Sequence, residues 1–197
     1  MEKGTSSIAS RQVPPLEIRL WKETDAEALS LSVARNLEHL RPWMPWIGNE
    51  PLTTVERRTL IQGWESAARR KQEYLFGIFV AKKVIGSCGL HGRIGPNVWE
   101  IGYWVDQDWV GRGVATETAR ILTDWAFQDE HIERVEIHHN HRNERSARIP
   151  SKLGFQMVRI DLESEIPPGG DGSANIWVMT RSEWAKRVNV HQVPRPF

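Results

Sequence analysis

The sequence predicts a single domain of the α/β (α+β) class. Its length of 197 residues suits one continuous hydrophobic core. Two helix-like segments come first, and the apolar period then changes from that of a helix to that of a strand near Tyr74. From there on, strand-like runs alternate with two further helix-like runs, which is typical of helices packed on a sheet.

The N-terminal region predicts a short strand and two helices. Leu16 to Leu20 alternates as a strand does, and apolar residues then recur at helical spacing as far as Leu40. The segment RPWMPW ends this helix because Pro42 and Pro45 cannot continue it. The segment TTVERRTLIQGWESAARRK predicts the second helix, with a threonine as its N-cap.

Later segments predict further strands and helices. The strand segments are YLFGIFVA, KVIGSCGLHG, VWEIGYWV, RVEIHH, FQMVRIDL and NIWVMTR, and the helix segments are ATETARILTDWAFQ and NERSARIPSKLG. The first two strands predict a hairpin around Lys82 and Lys83, and the last two a closing hairpin across a Pro/Gly-rich loop from Ile166 to Ala174. After NIWVMTR the sequence predicts only a terminal turn.

The composition limits the classes of function. We expect a mobile tail over residues 1–15, one domain over 16–186 and a second tail over 187–197. Lys and Arg together number 26 and Asp and Glu 25, so the net charge is only +1. A net charge this small excludes attraction of nucleic acid by the chain as a whole. With one cysteine and no apolar run of membrane-spanning length, we expect a cytoplasmic protein without an internal disulfide and without a membrane partner.

The stretch DQDWVGRGVATE places two glycines, Gly111 and Gly113, between a strand-like run and a helix-like run. Backbone N–H groups at the start of a helix suit a phosphate, and a Cβ at either glycine would collide with a ligand held there. Ordinary turn glycines are the alternative. A dinucleotide-binding fingerprint is excluded because Thr116 stands where the third glycine belongs, and no Gly-Lys-Ser/Thr follows to make a P-loop.

Five segments together resemble the GNAT superfamily of N-acetyltransferases, and within it the RimJ/RimL-like branch. In order they are HLRPWMPW, WEIGYWV, VGRGVATE, RNERSARIPSKLGF and DGSANIWVMTRSEW, and they span roughly Leu16 to Trp184. The superfamily signature has Gln or Arg where this chain has Val110. That departure is shared by the branch, which often has an aromatic residue there.

The resemblance implies a GNAT fold, which is a mixed, mostly antiparallel sheet with helices on both faces. Two central strands, Val98 to Val105 and Arg134 to His138, would splay apart to admit the pantetheine arm of acetyl-CoA. Acetyl-CoA is implied as the acetyl donor, and no metal is implied. The implied coenzyme-binding residues are Trp104, Val105, Gly111, Arg112, Gly113, Val114, Ala115, Thr116 and Asn143, with the N–H groups of 112–116 on the pyrophosphate.

The implied activity is transfer of the acetyl group to a primary amine by direct attack in a ternary complex. An α-amine titrates at about 7.7 to 8.0 and a lysine at about 10.4, so deprotonating lysine costs about 3.5 kcal/mol more. The acceptor would be the N-terminal amine of a ribosomal or other protein, or a small amine-bearing molecule, and a homodimer is left open. The alternative is a non-catalytic acyl-CoA-binding regulatory module.

Glu100 is the first candidate for the general base. Strand alternation places it on one face with Gly102 and Trp104, although a purely structural carboxylate would look the same. His91 is the reserve base and an expected contact of the acceptor. The resemblance assigns Ser146 to the departing thiolate, while spacing alone allows it to be a helper in the first turn of its helix.

Other residues leave alternatives open. Trp43 and Trp46 predict a flat wall for the acceptor. Cys88 has no positive neighbour in its apolar strand, which disfavours an acyl-cysteine intermediate. The run HHNH alternates between two strand faces, which disfavours a metal site. The basic residues of 142–152 would contact the 3′-phosphate of the coenzyme, RNA or only solvent.

Overall fold

The structure is a computed structural model that describes residues 15–161 and 172–187. The predicted tails over 1–15 and 187–197 therefore lie almost entirely outside the described residues, as does most of the predicted loop over 166–174. No helix of the described ranges is both long and apolar enough to cross a membrane.

The order of elements follows the sequence prediction closely. The chain forms β1 (Glu17–Leu20), α1 (Ala26–Leu40), α2 (Thr54–Arg69), β2 (Glu73–Val80), β3 (Lys83–His91), β4 (Val98–Val105), α3 (Val114–Ala126), β5 (Arg134–Asn140), α4 (Glu144–Leu153), β6 (Gln156–Asp161), β7 (Ala174–Thr180) and α5 (Arg181–Ala185). The helix α5 was not predicted. Thr180 and Glu183 form a capping box at its start, a signal that the sequence does contain.

A seven-stranded sheet, in the order β1-β2-β3-β4-β5-β7-β6, organises the domain. The pair β4–β5 is parallel and every other pair is antiparallel, which confirms the mixed, mostly antiparallel sheet. Helices cover both faces. Ile101 and Val105 of β4 join the core beneath α3, whereas Trp104 joins a separate core beneath α1 and α2.

The central strands diverge, as predicted. The parallel pairing of β4 with β5 runs from Val98 opposite Arg134 to Ile101 opposite Ile137. Beyond that point β4 stays paired with β3 as far as Val105, and β5 stays paired with β7 to its own end. An opening therefore separates the C-terminal halves of the two central strands.

The strand β7 completes the sheet of its own chain. It pairs with β5 along one edge and with β6 along the other, so both of its edges are occupied. The closing hairpin of β6 and β7 is confirmed.

A buried polar cluster fixes the end of β4 to α1. The Asp106 carboxylate, which is fully buried, accepts hydrogen bonds from Arg35, from Asn36 at 3.0 Å and from the backbone N–H of Asp108 at 3.0 Å. The side chain of Asn36 also accepts the Gln107 N–H at 2.8 Å. Burial by itself would raise the pKa of Asp106, but these donors and the charge of Arg35 lower it overall.

We expect Asp106→Asn to lower the free energy of unfolding by about 2 kcal/mol, because the new amide would point a donor at Arg35 and Asn36. The folded-state pKa of Asp106 lies below its unfolded value of about 3.9, so the wild-type advantage is complete above that pH. It declines as the pH falls through the folded-state pKa. Urea unfolding at pH 7 and at pH 3 measures both effects.

The control for this variant is Asp108→Asn, because the Asp108 side chain is 62% exposed and 3.8 Å from Arg35. We expect it to change the stability by less than about 0.5 kcal/mol. Equal losses in the two variants would show that the cluster does not fix the strand end.

Candidate active site

One large cavity passes through the opening between β4 and β5. Its volume is about 1310 Å³. Its lining includes His91 and Gly102 from the face of the sheet beneath α1 and α2, and Tyr103 from the face beneath α3. It also includes Asn143 and Ser146 at the start of α4. The cavity thus joins the two faces of the sheet at the point where the strands diverge.

The wall opposite the sheet is aromatic and rigidly held. Trp43 and Trp46, which the sequence predicted here, line the cavity beside Trp64 and Trp104. The rings of Trp46 and Trp104 have centroids 6.5 Å apart. The segment that carries Trp43 and Trp46 is anchored by a buried ion pair in which Arg57 donates to both Glu50 carboxylate oxygens, at 2.6 and 2.7 Å.

The sheet register aligns ionisable side chains, of which His91, Glu100 and His138 line the floor of the cavity and Glu136 is buried beside it. His91 of β3 lies opposite Glu100 of β4, and Glu100 lies opposite Glu136 of β5. His138 lies near both carboxylates, with Nε2 2.7 Å from Glu136 and Nδ1 4.0 Å from Glu100. Neighbouring strands thus bring together groups that are distant in the sequence.

Glu100 is the buried end of an ion pair. Arg93 donates to both of its carboxylate oxygens at 2.7 Å. Burial, the largest influence, raises the pKa of Glu100, but the hydrogen bonds and charge of Arg93 and the charges of His138 and His91 lower it overall. The structure thus places Glu100 in the lining of the cavity and holds it as a stabilised anion. Its role as the base stays a prediction.

His91 lies in a trough made by two glycines. Its Nδ1 is hydrogen-bonded to the Glu73 carboxylate of β2. Its Nε2 is 3.1 Å from where a Cβ would stand on either Gly89 or Gly102, and these two residues face each other across β3 and β4. The ring therefore occupies space that any larger residue at these positions would take away.

Tyr103 and Ser146 meet across the opening. The Tyr103 hydroxyl lies 3.1 Å from the Ser146 hydroxyl. Burial raises the pKa of Tyr103 to about 12, against a smaller lowering effect of that hydrogen bond. Asn143 caps α4 by accepting the Ser146 N–H at 3.0 Å, which leaves the Ser146 hydroxyl available. Strand alternation puts Tyr103 on the face opposite Glu100 but gives no sign that it reaches Ser146, since that contact depends on the divergence of the strands.

The glycine turn has the geometry of an anion site. Gly111 and Gly113 have φ of 78° and 80°, a left-handed conformation that favours glycine. Gly113 is the N-cap of α3 and no side chain caps this helix, so the first backbone N–H groups, Val114 to Thr116, have no partner within the helix. A Cβ on Gly111 would meet no atom of the described chain within 4 Å, so the backbone conformation alone already favours glycine here, and a collision with a bound phosphate stays a prediction.

The remaining predicted positions are also placed. Trp104 and Val105 end β4 and are buried, and Arg112 stacks over the Trp109 ring with its guanidinium carbon 4.8 Å from the centroid. Cys88 is buried, and burial raises the pKa of its thiol. Among the described residues, no three His, Cys, Asp or Glu side chains are arranged to hold a metal ion.

Comparisons with known proteins agree on one family. The profile of the acetyltransferase (GNAT) domain matches residues 16–156. YdaF of Bacillus subtilis, named as a ribosomal N-acetyltransferase, is 33% identical over 145 residues, which cover 71% of this chain and 77% of YdaF. The [ribosomal protein uS5]-alanine N-acetyltransferase of Escherichia coli is 25% identical over 152 residues, which cover 72% of this chain and 75% of that enzyme.

Solved structures share the fold. RimL, the ribosomal L7/L12 α-N-protein acetyltransferase in complex with coenzyme A, superposes with a TM-score of 0.77 at 22% identity, covering 85% of this chain and 95% of RimL. Mycobacterium smegmatis RimJ in complex with CoA-disulfide gives a TM-score of 0.79 at 20% identity, covering 92% of this chain and 86% of RimJ.

We expect Cys88 to resist alkylation in the native protein, because it is buried and its thiol stays protonated at neutral pH. Iodoacetamide at pH 8, followed by mass determination, should leave the native chain unmodified and label the urea-unfolded chain once. Rapid labelling of the native chain would show that Cys88 is reactive and would support an acyl-cysteine intermediate.

Proposed function

This chain belongs to the GNAT acetyltransferase family, and we propose that it transfers the acetyl group of acetyl-CoA to the α-amine of a polypeptide by direct attack in a ternary complex. The observation that carries the proposal is the opening between β4 and β5, because it joins the start of α4 to the charged floor of the cavity.

The coenzyme site follows from where β4 ends. The glycine turn begins directly after β4, at the end where the strands diverge, and it leads into the uncapped start of α3. The N–H groups from Arg112 to Thr116 would hold the pyrophosphate. The unpaired edge of β4 beside Trp104 and Val105 would bond the amides of the pantetheine arm.

Two hydroxyl groups are placed to manage the leaving group. When the C–S bond breaks, the thiolate needs a proton, and the Ser146 hydroxyl lines the cavity at the opening. Tyr103 stays protonated at neutral pH because its pKa is raised to about 12. It can therefore donate a hydrogen bond to Ser146 while Ser146 gives its proton to sulfur. We infer that the two hydroxyls act as one relay.

The acceptor is proposed from the shape of the cavity and the names of the relatives. The aromatic wall and the charged floor suit a chain end whose backbone lies along Trp43 and Trp46 while its amine reaches Gly102. The Escherichia coli relative is named for the terminal alanine of a ribosomal protein. We propose a protein N-terminus of this kind for this chain, while a homodimer and a cytoplasmic location stay predictions.

Release of free thiol tests the activity. We expect the purified chain with acetyl-CoA to release thiol in the presence of octapeptides that begin with alanine or serine. The same peptides with a blocked α-amine and one lysine should react far more slowly, because deprotonating lysine costs about 3.5 kcal/mol more at neutral pH. Calorimetric binding of acetyl-CoA without thiol release toward any amine would favour the non-catalytic module instead.

We expect Ser146→Ala and Tyr103→Phe each to lower kcat at least about tenfold while leaving the KM for acetyl-CoA near the wild-type value. Because the two hydroxyls form one relay, the double variant should be no slower than the slower single variant. The Asn143 cap uses the backbone of Ser146 and survives both changes. Wild-type kcat in Ser146→Ala would dismiss this role, and additive losses in the double variant would show that the hydroxyls act separately.

A further inference from the structure

We propose that His91, oriented by Glu73, is the group that takes the proton from the acceptor ammonium. This inference rests on the proposed acetyltransferase function and assigns one of its steps. Its basis is the place of the ring in the sheet and the hydrogen bonds of each ionisable group on the cavity floor.

The Glu73–His91 pair fixes the ring in one orientation. The two residues lie directly opposite each other on β2 and β3, and Glu73 bonds Nδ1 of the ring. In the neutral ring the proton then sits on Nδ1, donated to Glu73, and Nε2 keeps a free lone pair. A carboxylate behind an imidazole also stabilises the imidazolium that forms when Nε2 accepts a proton.

The glycine trough places Nε2 where the chemistry occurs. Gly102 is the first residue of β4 beyond the last parallel pair, Ile101 with Ile137, so it lies at the edge of the opening. Nε2 lies over the Gly89–Gly102 pair, 3.1 Å from each Cβ position. A thioester carbonyl that enters through the opening would therefore emerge beside Nε2.

The other ionisable groups on the cavity floor already have hydrogen-bond or ion-pair partners. Glu100 accepts both hydrogen bonds of Arg93, and its lowered pKa makes it a weak base at neutral pH. His138 faces a carboxylate with each ring nitrogen. His139 uses Nδ1 on the Asn140 carbonyl at 2.8 Å and Nε2 on the Trp177 N–H at 2.9 Å.

The proton balance is simple. The acceptor ammonium gives one proton to Nε2 of His91, and the neutral nitrogen attacks the thioester carbonyl carbon. As the C–N bond forms and the C–S bond breaks, Ser146 gives its hydroxyl proton to sulfur and regains one from the nitrogen, which thereby loses its second proton. His91 then loses its proton to water, since 17% of its side chain is exposed. The charged groups beside His91 are Glu73, which bonds Nδ1, and Glu100, which lies opposite it on β4 and is itself paired with Arg93 and near His138.

The test compares two acceptors of equal length. One octapeptide begins with alanine, and the other carries an aminooxyacetyl group in place of that alanine, so its terminal amine is already neutral at pH 7. We expect His91→Gln to lower kcat for the alanine peptide by about 10²-fold and to lower kcat for the aminooxy peptide by less than about threefold. Equal losses with both peptides would show that His91 only shapes the site.

Two further variants separate positioning from proton transfer. Glu73→Gln should retain part of the activity and move the acid limb of the kcat–pH profile to lower pH, because the imidazolium loses its carboxylate partner. Glu100→Gln should lower kcat but keep the wild-type acid limb. An acid limb that persists in His91→Gln and vanishes in Glu100→Gln would overturn the assignment in favour of Glu100.

The proposed function and this inference fail in different ways. If the wild-type chain releases no thiol with either peptide, the acetyl transfer to polypeptide amines fails. If the wild type reacts and His91→Gln matches it on the alanine peptide, only the role of His91 fails. Calorimetric binding of acetyl-CoA by each variant, with an unchanged Kd, establishes that the variants fold and hold the donor.

Discussion

The divergence of β4 from β5 is the constraint on which the rest of the structure depends. Each strand stays bonded to its outer neighbour after their mutual pairing ends at Ile101 and Ile137, and the natural twist of the sheet then draws them apart. The inner edges are left with backbone donors and acceptors that need partners. An extended, amide-bearing arm such as pantetheine would supply them, so one interruption of the sheet offers both a passage between its faces and a surface suited to such an arm.

The end of β4 is also connected to the helix that lines the cavity. The glycine turn begins directly after β4, and Asp106 at the end of β4 is held by Arg35 and Asn36 of α1. The helix α1 also packs beneath the acceptor side of the cavity through residues such as Leu29 and Val33. The buried polar cluster thus links the glycine turn to the helix that lines the cavity.

The sequence predicts those parts of the molecule that depend on local pattern. Helical spacing, strand alternation and proline stops predict all but one of the helices and strands, and α5 was missed although Thr180 and Glu183 carry its capping signal. Contacts that depend on register could not be predicted in this way. The Tyr103–Ser146 pair requires that the strands diverge, and the Arg93 pairing of Glu100 requires that a turn fold back over the sheet. The left-handed backbone of Gly111 and Gly113 could not be predicted from the sequence, which marked these glycines only for their closeness to a ligand.

The composition of the cavity affects how readily an entering ammonium would lose its proton. An ammonium that enters between Trp43, Trp46 and Trp104 loses water on its apolar side, and desolvation disfavours its charged form. The carboxylate of Glu100 would counter this effect by attracting the ammonium, but Arg93 neutralises that charge. An acceptor bound in this way would give up its proton more readily than in water, and a strongly stabilised carboxylate is then the weaker candidate for the base. Arg93, which weakens Glu100 as a base, thus favours the proposed role of His91 as the proton acceptor.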